Sequence, residues 1–185
     1  VIEGDKTSAI ELLKKPFNHI IFTGNPNKGK EIMKAASKNL SSVTLELGGK
    51  CPVIIDETAD LNIASKKITW GKFLNNGQSC ICPDYILVQK KRSLKLMNKI
   101  KENVHELYGS TPEEQQQNNN YSRIINGIHL ERLDELVKDA IEKGAKIEMG
   151  GQINRENNFF SPTIISNINI KSKIMKEEIF GPILP

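Results

Sequence analysis

The sequence predicts an α/β fold in which a largely parallel sheet is covered by helices. Three observations predict it. Short β-prone runs alternate with amphipathic stretches along the whole chain. A strand-like run, a glycine turn and a helix-like run follow one another directly between residues 19 and 38. The composition, 38% hydrophobic and 26% charged over 185 residues, is that of a globular chain and not of a disordered one.

The elements follow in order. Residues 7–14 read as a short helix, capped by Thr7 or Ser8 and stopped before Pro16. His19 to Phe22 is an apolar run long enough for a buried strand, and Thr23 to Gly29 is a Gly/Asn/Pro turn. Lys30 to Lys38 reads as a helix with Ile32, Met33 and Ala36 on one face. Val43 to Leu47 and Pro52 to Asp56 are strand candidates, separated by Gly48 and Gly49. Asp60 is placed to cap a helix running to about Leu74. Tyr85 to Val88 is a further strand.

Leu94, Met97, Ile100, Val104 and Leu107 stand at helical spacing, as do Leu130, Leu133, Leu136, Val137 and Ile141. Gly144 falls where a helix-terminating glycine belongs. Lys146 to Met149 and Phe159 to Ile165 are the last strands, and the polar stretch Glu113 to Asn120 reads as a surface loop.

Several function classes find no support. The net charge of +4 comes from Lys and Arg interleaved with Asp and Glu, so no basic stripe suggests nucleic acid. No apolar run approaches the ~20 residues that cross a bilayer. Cys51, Cys80 and Cys82 are odd in number and lack the spacing of a disulfide framework or of a zinc site, so no metal is expected. Gly24 to Lys30 spells most of a phosphate-binding P-loop, but Glu31 stands where that loop needs a Ser or Thr hydroxyl for Mg²⁺.

Two motifs carry chemistry. Asn76-Gly77-Gln78-Ser79-Cys80 lies at a helix-to-strand junction, where small and polar neighbours suggest a partly open thiol. Thr44-Leu45-Glu46-Leu47-Gly48-Gly49-Lys50 sets one acid inside an apolar run; burial of that acid would raise its pKa and suit a general base. Gly24 and Gly29 form a strand–turn–helix arrangement that fits a phosphate cradle or a plain glycine turn.

Together these residues resemble the aldehyde dehydrogenase superfamily. The resemblance rests on T-L-E-L-G-G-K at 44–50, N-G-Q-S-C at 76–80, F-T-G-N with Gly29 in the turn, and E-E-I-F-G-P at 177–182. Within the superfamily, T-G-N, P-D-Y at 83–85 and Y-S-R-I-I at 121–125 look most like the class 3 enzymes, which include fatty aldehyde dehydrogenases.

The resemblance implies a fold, an activity and a set of roles. Residues 1–46 would be the second half of a dinucleotide-binding domain, and residues 47–185 most of an α/β catalytic domain truncated at its C-terminus. The parent would oxidise an aldehyde to an acid with NAD, or NADP, through a thiohemiacetal and a thioester. Cys80 would be the nucleophile and Glu46 the base. Gly24, Gly29, Gly48, Gly49, Glu178 and Phe180 would meet the cofactor.

The implied partners are a small-molecule aldehyde and further copies of the chain, in a cytoplasmic setting or held to a membrane by a C-terminal tail. Cys82 departs from the pattern, standing where small apolar residues are usual. Two other readings stay open. One is a fragment without turnover of its own. The other is a cysteine hydrolase, which would need His19, His105 or His129 beside Cys80.

Overall fold

The computed structural model describes residues 1–185, which divide into two compact units, Val1–Gly48 and Gly49–Pro185. The sequence places the boundary after residue 46; the structure divides after Gly48, so that the strand Ser42–Leu47 lies wholly in the first unit.

In the first unit, helix α1 (Lys6–Leu12) is capped by Asp5, whose carboxylate accepts the Thr7 N–H at 2.8 Å. Strand β1 (His19–Gly24) leads into helix α2 (Pro26–Ala36), and strand β2 (Ser42–Leu47) pairs parallel to β1. Helix α2 starts four residues earlier than the sequence suggests. Asn25 is its cap, accepting the Lys28 N–H at 3.0 Å, and Pro26 takes the first helical position, where a missing N–H costs nothing. Buried Gly29, Ile32 and Ala36 line one face of α2. A β-carbon on Gly29 would stand 3.2 Å from Leu47 and 3.4 Å from Leu45. That glycine therefore brings helix and strand together.

The second unit begins with strand β3 (Pro52–Ile55), helix α3 (Leu61–Phe73), strand β4 (Tyr85–Val88) and helix α4 (Lys90–Tyr108). Strands β3 and β4 pair parallel, as a β-α-β crossover demands. Helix α3 is capped by Asp60 through the Asn62 and Ile63 N–H groups. Helix α4 buries Leu96, Ile100, Val104 and Tyr108, whereas Leu94 and Leu107 are exposed. The apolar stripe is thus rotated from the one read in the sequence, because Tyr108 and Leu96 fill the core and the flanking leucines do not.

The stretch Glu113 to Asn120, expected as loop, is helical over most of its length, in helix α5 (Pro112–Gln117). Its capping box satisfies the Glu114 and Thr111 N–H groups, and its leading proline has no N–H to satisfy, so a polar segment becomes helical without an apolar stripe. Helix α6 (Gly127–Glu142) buries Leu130, Leu133, Leu136 and Val137; Ile141 is exposed. Gly144 follows it at φ +95°.

The remaining strands are β5 (Lys146–Met149), β6 (Ile153–Asn154), β7 (Phe159–Phe160), β8 (Thr163–Ser166) and β9 (Ile183–Leu184). Here pairing is mixed: β8 runs parallel to β9 but antiparallel to β5, and β6 pairs antiparallel with β7. The predicted strand 159–165 is broken in two because Pro162 cannot donate to a ladder. Gly150 and Gly151, both at positive φ, turn the chain between β5 and β6. Two buried clusters result, one between α3, α4 and the strands, the other around α6.

Candidate active site

The loop before Cys80 is built from an uncommon backbone. Asn75, Asn76 and Gly77 follow α3 with φ of 50°, 58° and 70°, three left-handed residues in succession. Asn and Gly tolerate that region best, which is why the sequence carries them there. Asn76 is fully buried; its amide donates to the Ser122 carbonyl at 2.8 Å, and the Tyr121 hydroxyl lies 3.0 Å from its Oδ1. Gln78 donates to the Asn75 and Arg123 carbonyls and accepts the Ile125 N–H, each at 3.0 Å. The Y-S-R-I-I segment is therefore the wall on which the loop hangs.

Cys80 stands exposed at the corner of a turn closed by the Cys82 N–H to the Ser79 carbonyl at 3.1 Å. Cys82 points the other way and is buried. Its thiol lies 3.6 Å from the Lys72 carbonyl and 3.4 Å from that of Pro83. Burial pushes the Cys82 thiol pKa up, against the pull of Lys72. Cys51 is half-buried, with its sulfur 3.5 Å from the Cys80 carbonyl.

Beneath this turn lies a charged cluster that joins Lys50 of the 44–50 motif and Asp84 of P-D-Y to Lys72 and Arg132, which stand outside any motif. Lys72, on the last turn of α3, has no exposed surface, and its amine has no hydrogen-bond partner. Burial lowers its pKa, opposed by Cys82 and Asp84. Asp84 is 3% exposed, accepts the Ile179 N–H at 2.9 Å and pairs with Lys50. Lys50 also donates to the carbonyls of Ile174, at 2.6 Å, and Glu177, at 3.1 Å. Arg132 holds the Ile179 carbonyl at 2.5 Å and that of Glu178 at 3.3 Å. Sequence periodicity could have found Lys72: it follows Ile68 by four residues and so shares the buried face of α3.

Segment 178–180 is thus fixed by its backbone, leaving its side chains to do other work. Glu178 is half-buried, and burial raises its carboxyl pKa, with the Gly49 amide pulling the other way. Phe180, at φ +48°, is held outward with its side chain 39% exposed between buried Ile179 and Gly181. At Gly49 no protein atom lies within 4 Å of where a β-carbon would stand. A half-buried carboxylate, an outward aromatic ring and an open glycine suit a ribose diol and a flat heteroaromatic ring. The residues of this unit therefore fit the nucleoside end of a dinucleotide.

In the first unit, Glu46 lies beside Thr23 in the β1–β2 register. It is exposed, which corrects the expectation of a buried acid. The alternation of β2 turns Val43 and Leu45 toward the covered face; Thr44 and Glu46 share the other, which this unit leaves open. The turn at Gly24 also differs from expectation. Pro26 has no N–H and the Lys28 N–H is taken by Asn25, which leaves Asn27 as the free amide among the first three positions of α2. His19 is held between the Ser42 hydroxyl, at 2.6 Å, and the Thr44 hydroxyl, at 3.1 Å.

Comparison with known proteins agrees with the motifs. A profile described as "Aldehyde dehydrogenase family" matches residues 1–185. The chain is 45% identical to mouse aldehyde dehydrogenase family 3 member A2, covering 100% of this chain and 37% of that protein. It is 43% identical to 4,4'-diaponeurosporen-aldehyde dehydrogenase of Staphylococcus aureus, again over 100% of this chain and 39% of the other. Among solved structures, a substrate-bound Staphylococcus aureus AldH superposes with a TM-score of 0.90 at 42% identity, covering 100% of this chain and 39% of that one. The chain therefore spans less than two fifths of the length of these relatives. No helix is long and apolar enough to cross a membrane.

Proposed function

The chain belongs to the aldehyde dehydrogenase family, and on that premise we propose that its parent protein oxidises an aldehyde to a carboxylic acid with NAD(P), Cys80 being the nucleophile. The observation that carries this reading is the contrast between two thiols two residues apart. Cys80 is exposed on a turn held by Asn76 and Gln78, while Cys82 is buried against Lys72. A thiol that must meet a substrate has to be the first.

In this mechanism the Cys80 thiolate attacks the carbonyl carbon and forms a tetrahedral thiohemiacetal. The Cys80 N–H, at the corner of its turn, donates to the oxyanion. The nicotinamide, when bound, supplies the hydride acceptor. Glu178 and Phe180 hold its ribose and ring, and Gly49 lets the backbone come close; Gly24, Gly29 and Gly48 complete the cofactor residues. Of these, Gly29 acts by packing α2 against β2. After oxidation Cys80 carries the acyl group as a thioester. Glu46 takes a proton from water, which cleaves that thioester and returns the thiolate.

The units Val1–Gly48 and Gly49–Pro185 are read as the cofactor-binding and catalytic parts. NAD is the proposed cofactor, with NADP the alternative; a canine relative 43% identical is called dimeric and NADP-preferring. A homo-oligomer is proposed on the same ground. An aldehyde is the proposed substrate, a fatty aldehyde by the resemblance of the motifs to class 3 enzymes.

The test is aldehyde-dependent NAD(P)H formation by the full-length protein. Cys80→Ala abolishes it and Cys82→Ala leaves most of it. Full activity in Cys80→Ala would overturn the reading.

A further inference from the structure

We propose that Cys51 is a resolving thiol that closes a reversible disulfide with Cys80 when a peroxide oxidises the nucleophile; the proposal rests on the reading of Cys80 as the reactive thiol. Two features of the structure point to it. The Cys51 sulfur lies 3.5 Å from the Cys80 carbonyl oxygen, so it already touches the peptide that carries the nucleophile. The loop from Cys80 to Asp84 is held alongside residue 51 by the Asp84 N–H, which donates to the Cys51 carbonyl at 2.9 Å.

The alternative partner, Cys82, is placed wrongly. It is closer in sequence but points into the protein, buried against the Lys72 carbonyl. Cys51 is half-buried and Cys80 exposed, so both can be reached from solvent. The short turn 79–82 is the compliant partner: Cys80 and Ile81 occupy its corner, and Ile81 is 83% exposed. Closing the bond requires that corner to move and both side chains to rotate until the sulfurs reach bonding distance.

The chemistry balances in two steps. The Cys80 thiol reacts with a hydroperoxide, giving a sulfenic acid and one molecule of alcohol or water. The Cys51 thiol then attacks the Cys80 sulfur; the S–S bond forms, the S–O bond breaks, and a second water leaves with the thiol proton. The peroxide is reduced and the two thiols are oxidised by two electrons. While the bond stands, Cys80 cannot attack a carbonyl. Its sulfur is also kept from the irreversible sulfinic and sulfonic acids. A dithiol reverses the bond.

The experiment uses the full-length protein, hydrogen peroxide and dithiothreitol. Peptide mapping after limited peroxide is expected to show Cys51 joined to Cys80, with activity lost and then recovered on reduction. Cys51→Ser keeps its basal activity, because Cys51 has no part in the reaction. Under peroxide it loses activity that dithiothreitol does not restore, and Cys80 is found as the sulfinic acid. A Cys80–Cys82 bond would overturn the proposal. So would sulfinic acid forming at Cys80 as fast in the unaltered protein as in Cys51→Ser. Neither outcome touches the enzyme assignment, which fails separately if Cys80→Ala remains active.

Discussion

Gly77 and Gly181 meet backbone to backbone. A β-carbon on Gly77 would stand 2.3 Å from the Gly181 carbonyl oxygen and 2.9 Å from that of Lys72. The cysteine loop and the segment carrying Glu178 and Phe180 are thus packed without a side chain between them. This contact, with the Asp84 bond to the Ile179 N–H, ties the two motifs together within the second unit.

Gly77→Ala is expected to be severely destabilising. The left-handed φ costs about 1–2 kcal/mol and the forced separation about 1–3 kcal/mol more. Gly144 is the control: its φ is +95°, yet nothing lies within 4 Å of the point a β-carbon would occupy there. Gly144→Ala should therefore show the backbone cost alone. Urea unfolding of both variants checks this, and equal losses would show that the Gly181 contact is not tight.

Lys72→Met is expected to leave the second unit at least as stable as before. The amine is fully buried, has no hydrogen-bond partner, and is disfavoured as an ammonium by burial. Asp84 keeps Lys50 as its ion-pair partner. A buried polar group left without a hydrogen-bond partner costs about 1–3 kcal/mol, a cost that an apolar side chain of similar length removes. A clear fall in melting temperature would mean that Lys72 neutralises Asp84 and that Lys50 does not suffice.

Most of the fold is legible in the sequence because it is written in local patterns. The β1–turn–α2 order, the Asp60 cap and the Gly144 terminator are signals of single residues. What the sequence hides depends on distant partners. Helix α5 lacks an apolar stripe and stands on its capping box. The antiparallel pairing of β5 with β8 joins strands between which β6 and β7 intervene, so no single turn announces it. At the site, the motifs name Cys80, Glu178 and Phe180. The backbone of segment 174–179 is held by Lys50, Asp84 and Arg132; the first two stand in the 44–50 and 83–85 motifs, but only the folded chain brings them and Arg132 onto that segment. The apolar neighbours of Glu46 suggest burial, but the strand's alternation places it on the uncovered face instead.

The melting temperature should depend on pH through Asp139. Its carboxylate takes the Lys143 ammonium and the Lys173 N–H, at 2.7 Å, and both hold its pKa below the ordinary carboxylate range. Because the folded pKa is depressed, the group's contribution is fully present above the unfolded value and is lost as pH falls through the folded one. Asp139→Asn should therefore be less stable than the unaltered protein at pH 7, with the gap closing in acid. A gap that stays constant from pH 7 to acid would place the stabilisation elsewhere.

The most direct test of the account is the location of the acyl group. Full-length protein with Glu46→Gln, mixed rapidly with an aldehyde and NAD, should give a burst of NADH followed by a slow steady state. Acid quenching during that phase, digestion and mass spectrometry should find the acyl mass on the peptide containing Cys80, at the sulfur of Cys80. An acyl group on Cys82 or Cys51, or a burst with no acylated cysteine, would contradict it.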